Sequence, residues 1–446
     1  MNEIKERPIT NIERLFYRAP FCDVIMMARF GRSINDELLG KALNKARLKY
    51  PLMGARIERD GDGATRFVFD KVPEFQIKVL DKKDEIQWLE SAWNEQKEPF
   101  DLNKGPLIKF LLLRSTDGTD LVVICHHSIC DGLSLTYLIK NIASFLEDPG
   151  TKINPQPLPP VLNEDSFSVR IQPTWYYKIL LNHMNHSWKK EKVIFNDDDY
   201  TKLYKEYWQK TNIGITLFNL SREATSTLIS RCHKEHIIVN SALTTAFALA
   251  QYYVQGKSPG YLRKALIDVN IRSLLKNYLG DNFGLFASGI LITLPDRKGD
   301  FWSTIQKFNM KFKHLLSNPT KVLGSLTLDY LDPTLIDAVY FAAYSHFKSK
   351  TVLRVKKLML PSTDKPKRSL GITNLGNVNI EKNSYNLNAL FFVPQISPNY
   401  EKVIGIITAD NEMHITVLYD RCRIGSDIIE KFKQRTVAYL TEGLDC

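Results

Sequence analysis

Apolar residues recur at spacings of three and four between Asp36 and Tyr50, at Leu38, Leu39, Ala42, Leu43 and Ala46, and this period predicts an amphipathic helix. Ser33 or Asn35 stands where its cap belongs, and Pro51 stops it. Shorter patterns follow. Arg66–Phe69 and Phe75–Leu80 are expected as strands, Glu85–Gln96 as a helix, and Ile108–Leu113 and Leu121–Cys125 as strands joined by the turn Ser115-Thr116-Asp117-Gly118. A second strong helix is expected over Leu133–Leu146, before Asp148-Pro149-Gly150 and the proline-rich stretch Pro155–Pro160.

From 161 to about 210 the pattern weakens. This segment carries Trp175-Tyr176-Tyr177, His183, His186 and the run Lys189-Lys190-Glu191-Lys192. Trp175, Ile179, Leu180 and Met184 fall on one helical face, expected to pack on a domain or line a substrate entrance rather than lie on a membrane. From Gly214 the alternation resumes, with a strand, a helix over Ser221–Glu235 and another over Asn240–Val254 capped at Asn240-Ser241. Strands are expected at Ala265–Val269, Ile290–Leu294, Ala389–Phe392, Val403–Thr408 and Met413–Leu418, and helices at Phe301–Leu315 and Ser426–Leu440. The pattern as a whole predicts two α/β domains, 1–160 and 211–446, with 161–210 between them and a cleft where they meet.

The segment His126-His127-Ser128-Ile129-Cys130-Asp131-Gly132 sits between the strand Leu121–Cys125 and the helix after it. A strand-to-helix junction fixes the backbone while the loop presents a side chain. A chance HHxxxDG in a chain of this composition has a probability on the order of one in two thousand. A metal pair fits poorly, because successive strand side chains point to opposite faces and adjacent histidines would not converge on one ion. A lone histidine is usually a satisfied core residue, but Asp131-Gly132, four residues on, points to catalysis. Attack of a hydroxyl or amine on a thioester needs a base near neutral pH, and imidazole titrates at about 6.5. The thioester is already activated, and no GxSxG elbow supplies a covalent nucleophile.

These residues resemble the signature of chloramphenicol acetyltransferases, condensation domains of nonribosomal peptide synthetases, polyketide-associated acyltransferases, alcohol acetyltransferases and plant acyltransferases. The resemblance implies two chloramphenicol acetyltransferase-like domains as a pseudo-dimer, with an active-site tunnel between them and His127 as general base. It implies a buried ion pair between Asp131 and Arg272 of the other domain, room at the tunnel from Gly132, and His126 as a packing residue. Leu39–Ile57, Glu98-Pro99-Phe100-Asp101-Leu102 and Gly105-Pro106-Leu107 are similar to upstream family segments. Asp268-Val269-Asn270-Ile271-Arg272, Asn282-Phe283-Gly284-Leu285-Phe286 and Thr373-Asn374-Leu375-Gly376 are similar to downstream ones. Asn282, Gly284, Asn374 and Gly376 are therefore candidates for substrate binding. Asn374, or backbone donors, would steady the tetrahedral oxyanion; Asn374 also reads as a turn or capping residue. Residue 373 is threonine where the family commonly has serine, the DFGWG of the plant enzymes is absent, and no adenylation or carrier segment is attached. The reading that follows is acyl transfer from a thioester to a hydroxyl. Amide-forming condensation is the alternative, and a non-catalytic recruiting module the reading from another class.

Composition adds a direction. With 60 Lys and Arg against 49 Asp and Glu, the net charge is +11. Such a surface is either simply solvated or attracts acyl-coenzyme A, an acidic carrier protein or an anionic lipid surface. Nucleic acid is not expected, since no Lys/Arg run is interleaved with aromatics. The six cysteines at 22, 125, 130, 232, 422 and 446 form neither CxxC pairs nor zinc spacings, so reduced thiols and no metal or bound cofactor are expected. The charged N-terminus and the lack of an 18-residue apolar run predict a cytoplasmic protein without a membrane span.

Overall fold

A run that is apolar at every position has no face to offer water, so Leu121–Cys125 belongs in a sheet covered on both sides. The computed structural model, which describes residues 6–169, 174–256, 263–296, 300–359, 368–380 and 384–444, places it there. The first half contains β1 (Glu6–Pro8), α1 (Asn11–Tyr17), β2 (Asp23–Phe30), α2 (Asp36–Lys49), β3 (Arg56–Arg59), β4 (Thr65–Val68), β5 (Ile77–Asp81), α3 (Gln87–Gln96), β6 (Ile108–Arg114), β7 (Thr119–His126) and α4 (Gly132–Glu147). Buried along its whole length, β7 lies between β2 and β6 and runs antiparallel to both. Asn35 caps α2 by accepting from the Glu37 and Leu38 N–H groups, and the helix buries Leu39, Ala42, Leu43 and Ala46.

The segment expected as a connector of mixed character is mostly helical, with α5 (Trp175–Glu191) and α6 (Asp197–Lys210). Its apolar face is also not the expected one. Trp175, Ile179 and Leu180 are 74%, 59% and 41% exposed, whereas Leu181, Met184 and Trp188 are buried. The side that docks is chosen by Trp188, whose indole N–H donates to Thr334 Oγ1 at 2.8 Å, and by the apolar cluster around Leu335 and Val352. Of the four residues assigned to one face, only Met184 packs inward.

The second half continues with β8 (Ile213–Leu220), α7 (Arg222–Lys234), α8 (Val239–Gln255), β9 (Lys264–Asn270), β10 (Ala287–Thr293), α9 (Phe301–Leu316), α10 (Pro319–Val322), α11 (Pro333–Tyr344), α12 (Lys350–Met359), β11 (Arg368–Val378), β12 (Leu387–Val393), β13 (Tyr400–Ala409), β14 (Glu412–Asp420) and α13 (Ser426–Thr441). The cap expected at Asn240-Ser241 does not form. α8 starts at Val239 without a side-chain cap, and Ser241 Oγ instead donates to Asn309 Oδ1 at 3.0 Å.

The second-half sheet has the order β10-β9-β11-β13-β14-β8. The first-half sheet has the order β12-β2-β7-β6-β5, so one strand from the C-terminal half crosses over and pairs antiparallel with β2. The chain therefore forms the two expected α/β halves, and β12 ties them together. β13 and β14 of the second sheet pack beside this crossing strand, which brings both halves to the end of β7 where the histidines lie.

Candidate active site

His126 closes β7 opposite Asp23 of β2. One residue later the His127 N–H still donates to the Cys22 carbonyl at 2.8 Å, and the Ile129 N–H then donates back to the His126 carbonyl at 3.1 Å, which turns the chain into α4. His127 Nδ1 lies 2.7 Å from the carbonyl oxygen of Cys130. A carbonyl only accepts, so Nδ1 carries the hydrogen and Nε2 keeps its lone pair. Phe16 of α1 packs on the imidazole, with centroids 4.1 Å apart. Burial holds the His127 pKa below its ordinary 6.5, against the Cys130 hydrogen bond and the Asp131 charge, so the ring is a neutral base at pH 7.

His126 has the opposite environment. Its ring is fully buried, Nδ1 accepts from the Ser128 N–H at 3.3 Å, and Phe100 presents an edge at 5.8 Å. Burial and the neighbouring His127 push its pKa down to about 3. It stays neutral and packs.

Asp131 meets Arg272 as the resemblance implied. The guanidinium is bidentate, with Nη1 to Oδ2 at 2.8 Å and Nη2 to Oδ1 at 3.1 Å. The carboxylate also accepts from the Ser134 N–H at 2.8 Å, as the N-cap of α4, and from the Phe286 N–H at 3.0 Å. Burial pushes the Asp131 pKa up, but the Arg272 charge and these hydrogen bonds outweigh it and hold the pKa below the ordinary carboxylate value. The glycine after it is needed for space: a Cβ on Gly132 would stand 2.6 Å from Leu375 Cδ2 and 2.9 Å from Phe392 Cζ.

Asn282 and Gly284, expected to bind substrate, serve this clamp instead. The Asn282 carbonyl accepts from Arg272 Nη2 at 3.1 Å, its amide donates to the Pro157 carbonyl at 3.0 Å, and the Gly284 N–H donates to Ser134 Oγ at 3.1 Å. Asn374 takes the turn role: its Oδ1 accepts from the Gly376 N–H at 2.9 Å, beside a register shift in β11, and Gly376 has the positive φ of 78° that favours glycine. The side-chain oxygen of Asn374 is engaged locally, whereas an oxyanion would need a donor, the amide N–H of Asn374, which this bond does not use.

Between the halves is a cavity of about 80 Å³. Val24, His127, Asp131 and Gly132 line it on one side; Leu266, Asp268, Ala287 and Thr373 are among the residues on the other. Thr373 Oγ1 donates to Asp268 Oδ2 at 2.6 Å. A larger cavity of about 310 Å³ next to it shares Ser397 and Tyr400 as walls. Among the described residues no group of His, Cys, Asp and Glu side chains could hold a metal ion.

A family model for the condensation domain matches residues 11–258, more than half of the chain. The chain belongs to the condensation-domain family. Gramicidin S synthase 1 from Brevibacillus brevis is 23% identical over 480 residues, covering 97% of this chain and 40% of the relative. Phosphinothricin tripeptide synthetase PhsC from Streptomyces viridochromogenes is 27% identical over 148 residues, or 31% of this chain and 14% of the relative. The chain thus spans well under half the length of these two curated relatives. Two solved structures show the same fold. The trichothecene 15-O-acetyltransferase from Fusarium sporotrichioides has a TM-score of 0.67 at 13% identity, covering 98% of this chain and 95% of that one. The epimerization domain from the third module of tyrocidine synthetase B has a TM-score of 0.61 at 17% identity, covering 99% and 97%. The two-lobed chloramphenicol acetyltransferase-like fold of this family is thereby the fold of the chain.

Within that fold three residues at the site had no role in the sequence reading: Phe16 on the His127 ring, and Asp268 and Gln395 in the cavity wall. Phe16 sits on α1, whose capping box of Thr10 and Glu13 is a readable signal in Thr-x-x-Glu. Asp268 lies four residues before Arg272 and was overshadowed by it. Gln395 has no sequence signal at all.

Proposed function

We propose that the protein transfers an acyl group from a thioester to a hydroxyl group of a small acceptor, with His127 as general base. The observation that carries this is the Nδ1–H bond to the Cys130 carbonyl, which leaves the Nε2 lone pair available at the cavity. As the acceptor oxygen attacks the thioester carbonyl, Nε2 takes its proton. When the tetrahedral intermediate collapses and the C–S bond breaks, the imidazolium returns that proton to the departing thiolate. Asp131 and Arg272 hold the His127 loop to the second half and take no proton. Amide formation uses the same steps with an amine acceptor, and the peptide synthetases among the relatives favour keeping it as the second reading. A purely recruiting module has no use for a desolvated imidazole with one fixed tautomer.

The donor in this reading is acyl-coenzyme A or a separate acyl carrier protein, both anionic partners for a chain of charge +11. Cytoplasm is the setting that fits such thioesters, together with the free thiols of Cys22, Cys125, Cys130, Cys232 and Cys422; Cys446 lies outside the described residues. No single helix among the described residues is long and apolar enough to cross a membrane. The test is mass spectrometry of products after incubating purified protein with acyl-coenzyme A and acyl-carrier panels against alcohols and amines. Ester formation that disappears in His127→Ala is expected. Product formed equally by His127→Ala, or none with any pair, overturns the reading.

A further inference from the structure

Two polar groups on the second-half side of the cavity, Asp268 and Gln395, are acceptors with unused capacity. Asp268 stands on β9 directly after the paired positions Ile267↔Ile372, with its carboxyl facing the cavity. Thr373 supplies its hydrogen bond, and among the described residues it has no ion pair. Gln395, on the same cavity, has its Oε1 buried with no hydrogen-bond partner. No lysine or arginine lines this space. Arg272, the buried guanidinium of the clamp, is paired with Asp131. A partly desolvated carboxyl that feels the Arg368 charge but has no ion pair is costly, and so is a buried amide oxygen without a donor. Burial pushes the Asp268 pKa up to about 6, against the Thr373 hydrogen bond and the Arg368 charge, so near neutral pH the site holds an anion waiting for a counterion.

We infer that Asp268, helped by Gln395, is a specificity-determining pair that binds an ammonium group on the acceptor, separate from the hydroxyl or amine that is acylated. An ammonium has three N–H donors, enough to satisfy the carboxylate and the amide oxygen together. The cavity of about 80 Å³ admits only a short spacer between a group held at Asp268 and a nucleophile at His127. The acceptor class is therefore a short amino alcohol or diamine unit, alone or as the end of a larger molecule. This assignment rests on the acyl-transfer reading for its catalytic arm, but its binding arm does not.

The experiment compares matched probes in which the ammonium is replaced by methyl: 2-aminoethanol, 3-aminopropan-1-ol and 4-aminobutan-1-ol against propan-1-ol, butan-1-ol and pentan-1-ol, with ethane-1,2-diamine against propylamine for amide formation. In the unmodified protein kcat/KM should favour the best ammonium probe by at least about tenfold, the scale of a charge-assisted hydrogen bond. In Asp268→Asn that ratio should fall to near one. A general loss of structure would lower both members of a pair and leave the ratio standing. Ligand-observed NMR on His127→Ala protein repeats the comparison by binding alone, so the outcome does not depend on turnover. Should no acceptor be acylated, the acyl-transfer reading falls and the binding ratio still decides the role of Asp268. A preference for the methyl probes in the unmodified protein, or a ratio unchanged in Asp268→Asn, overturns the inference.

Discussion

The two carboxylates that line the cavity have nearly opposite circumstances. Asp131, on the first-half side, receives a bidentate guanidinium and two backbone N–H groups, and its pKa is held down. Asp268, on the second-half side, receives one threonine hydroxyl and is held up at about 6. Asp131 is buried and Asp268 only partly so, but the larger difference is in their partners. A fully satisfied buried ion is committed to structure, because every lone pair has been used in holding two elements together. An undersatisfied one keeps a share of its bonding capacity for something that is not part of the chain. The wall that carries His127 is thus fixed, and the wall that faces it is receptive.

The largest effect expected on the fixed wall comes from His127→Ala. Turnover should drop by about 10²- to 10⁴-fold, the range of a general base, for every acceptor alike. In the unmodified protein kcat/KM should fall on the acid side only below pH 6.5, because burial lowers the pKa of His127 and the ring must be neutral to accept a proton. An acid limb centred above 6.5, or a loss confined to some acceptors, would break the contrast between a general wall and a selective one.

Asp131→Ala comes next, as a stability effect. Leaving Arg272 buried without its partner should cost about 3–5 kcal/mol in denaturant unfolding. Asp131 is at once the N-cap of α4 and the partner of Arg272, and a cap alone is worth about 1 kcal/mol. A double-mutant cycle with Arg272→Ala separates the two. Coupling of roughly 0.5–3 kcal/mol is expected for residues in contact, and zero coupling would reduce Asp131 to a cap.

For Asp268 the sign reverses. Its folded pKa of about 6 lies above the unfolded value, so the folded state takes up a proton before the unfolded chain does. The penalty of the buried charge is fully present above pH 6 and is relieved as pH falls from about 6 to about 4. Relative to Asp268→Asn, the unmodified protein should therefore gain about 2–3 kcal/mol of stability between pH 7 and pH 4, at 1.36 kcal/mol per pKa unit. Asp131→Asn should show the opposite slope against the same reference, since a depressed pKa gives stability that is lost on acidification. Parallel slopes for the two variants would mean the carboxylates are not different in kind.

Much of the fixed wall was legible in the sequence, and much of the receptive wall was not. The strand-to-helix junction at His126–Gly132 is a local pattern, so a strand period followed by a helix period locates it. Arg272 is 141 residues away from Asp131, and only the family resemblance joined them. The same distance problem hid β12, whose partner β2 is set by tertiary packing rather than by its own seven residues. On α5, Trp175, Ile179 and Leu180 satisfied a helical period yet face outward, because Leu181, Met184 and Trp188 form a competing stripe with better partners. Asp268 was read only as the start of a segment. Nothing in a sequence distinguishes a carboxylate that has its cation from one that lacks it.

The smallest effect concerns Phe16, which extends the fixed wall to α1. Its ring lies 4.1 Å from the His127 ring at 36°, close enough for the π face to interact with the imidazolium that forms during transfer. Such a contact is worth about 0.5–1 kcal/mol, so Phe16→Leu should lower kcat by roughly two- to fivefold. Leucine keeps the site apolar and nearly filled, so His127 stays desolvated and its hydrogen bond to Cys130 stays in place. The second readout is the acid limb of kcat/KM, which should move slightly to lower pH because the protonated ring loses a stabilising neighbour. A pure packing role predicts a change in thermal midpoint with neither kinetic shift. A loss of 100-fold or more would show instead that Phe16 touches the substrate, and α1 would then belong to the receptive side of the cavity.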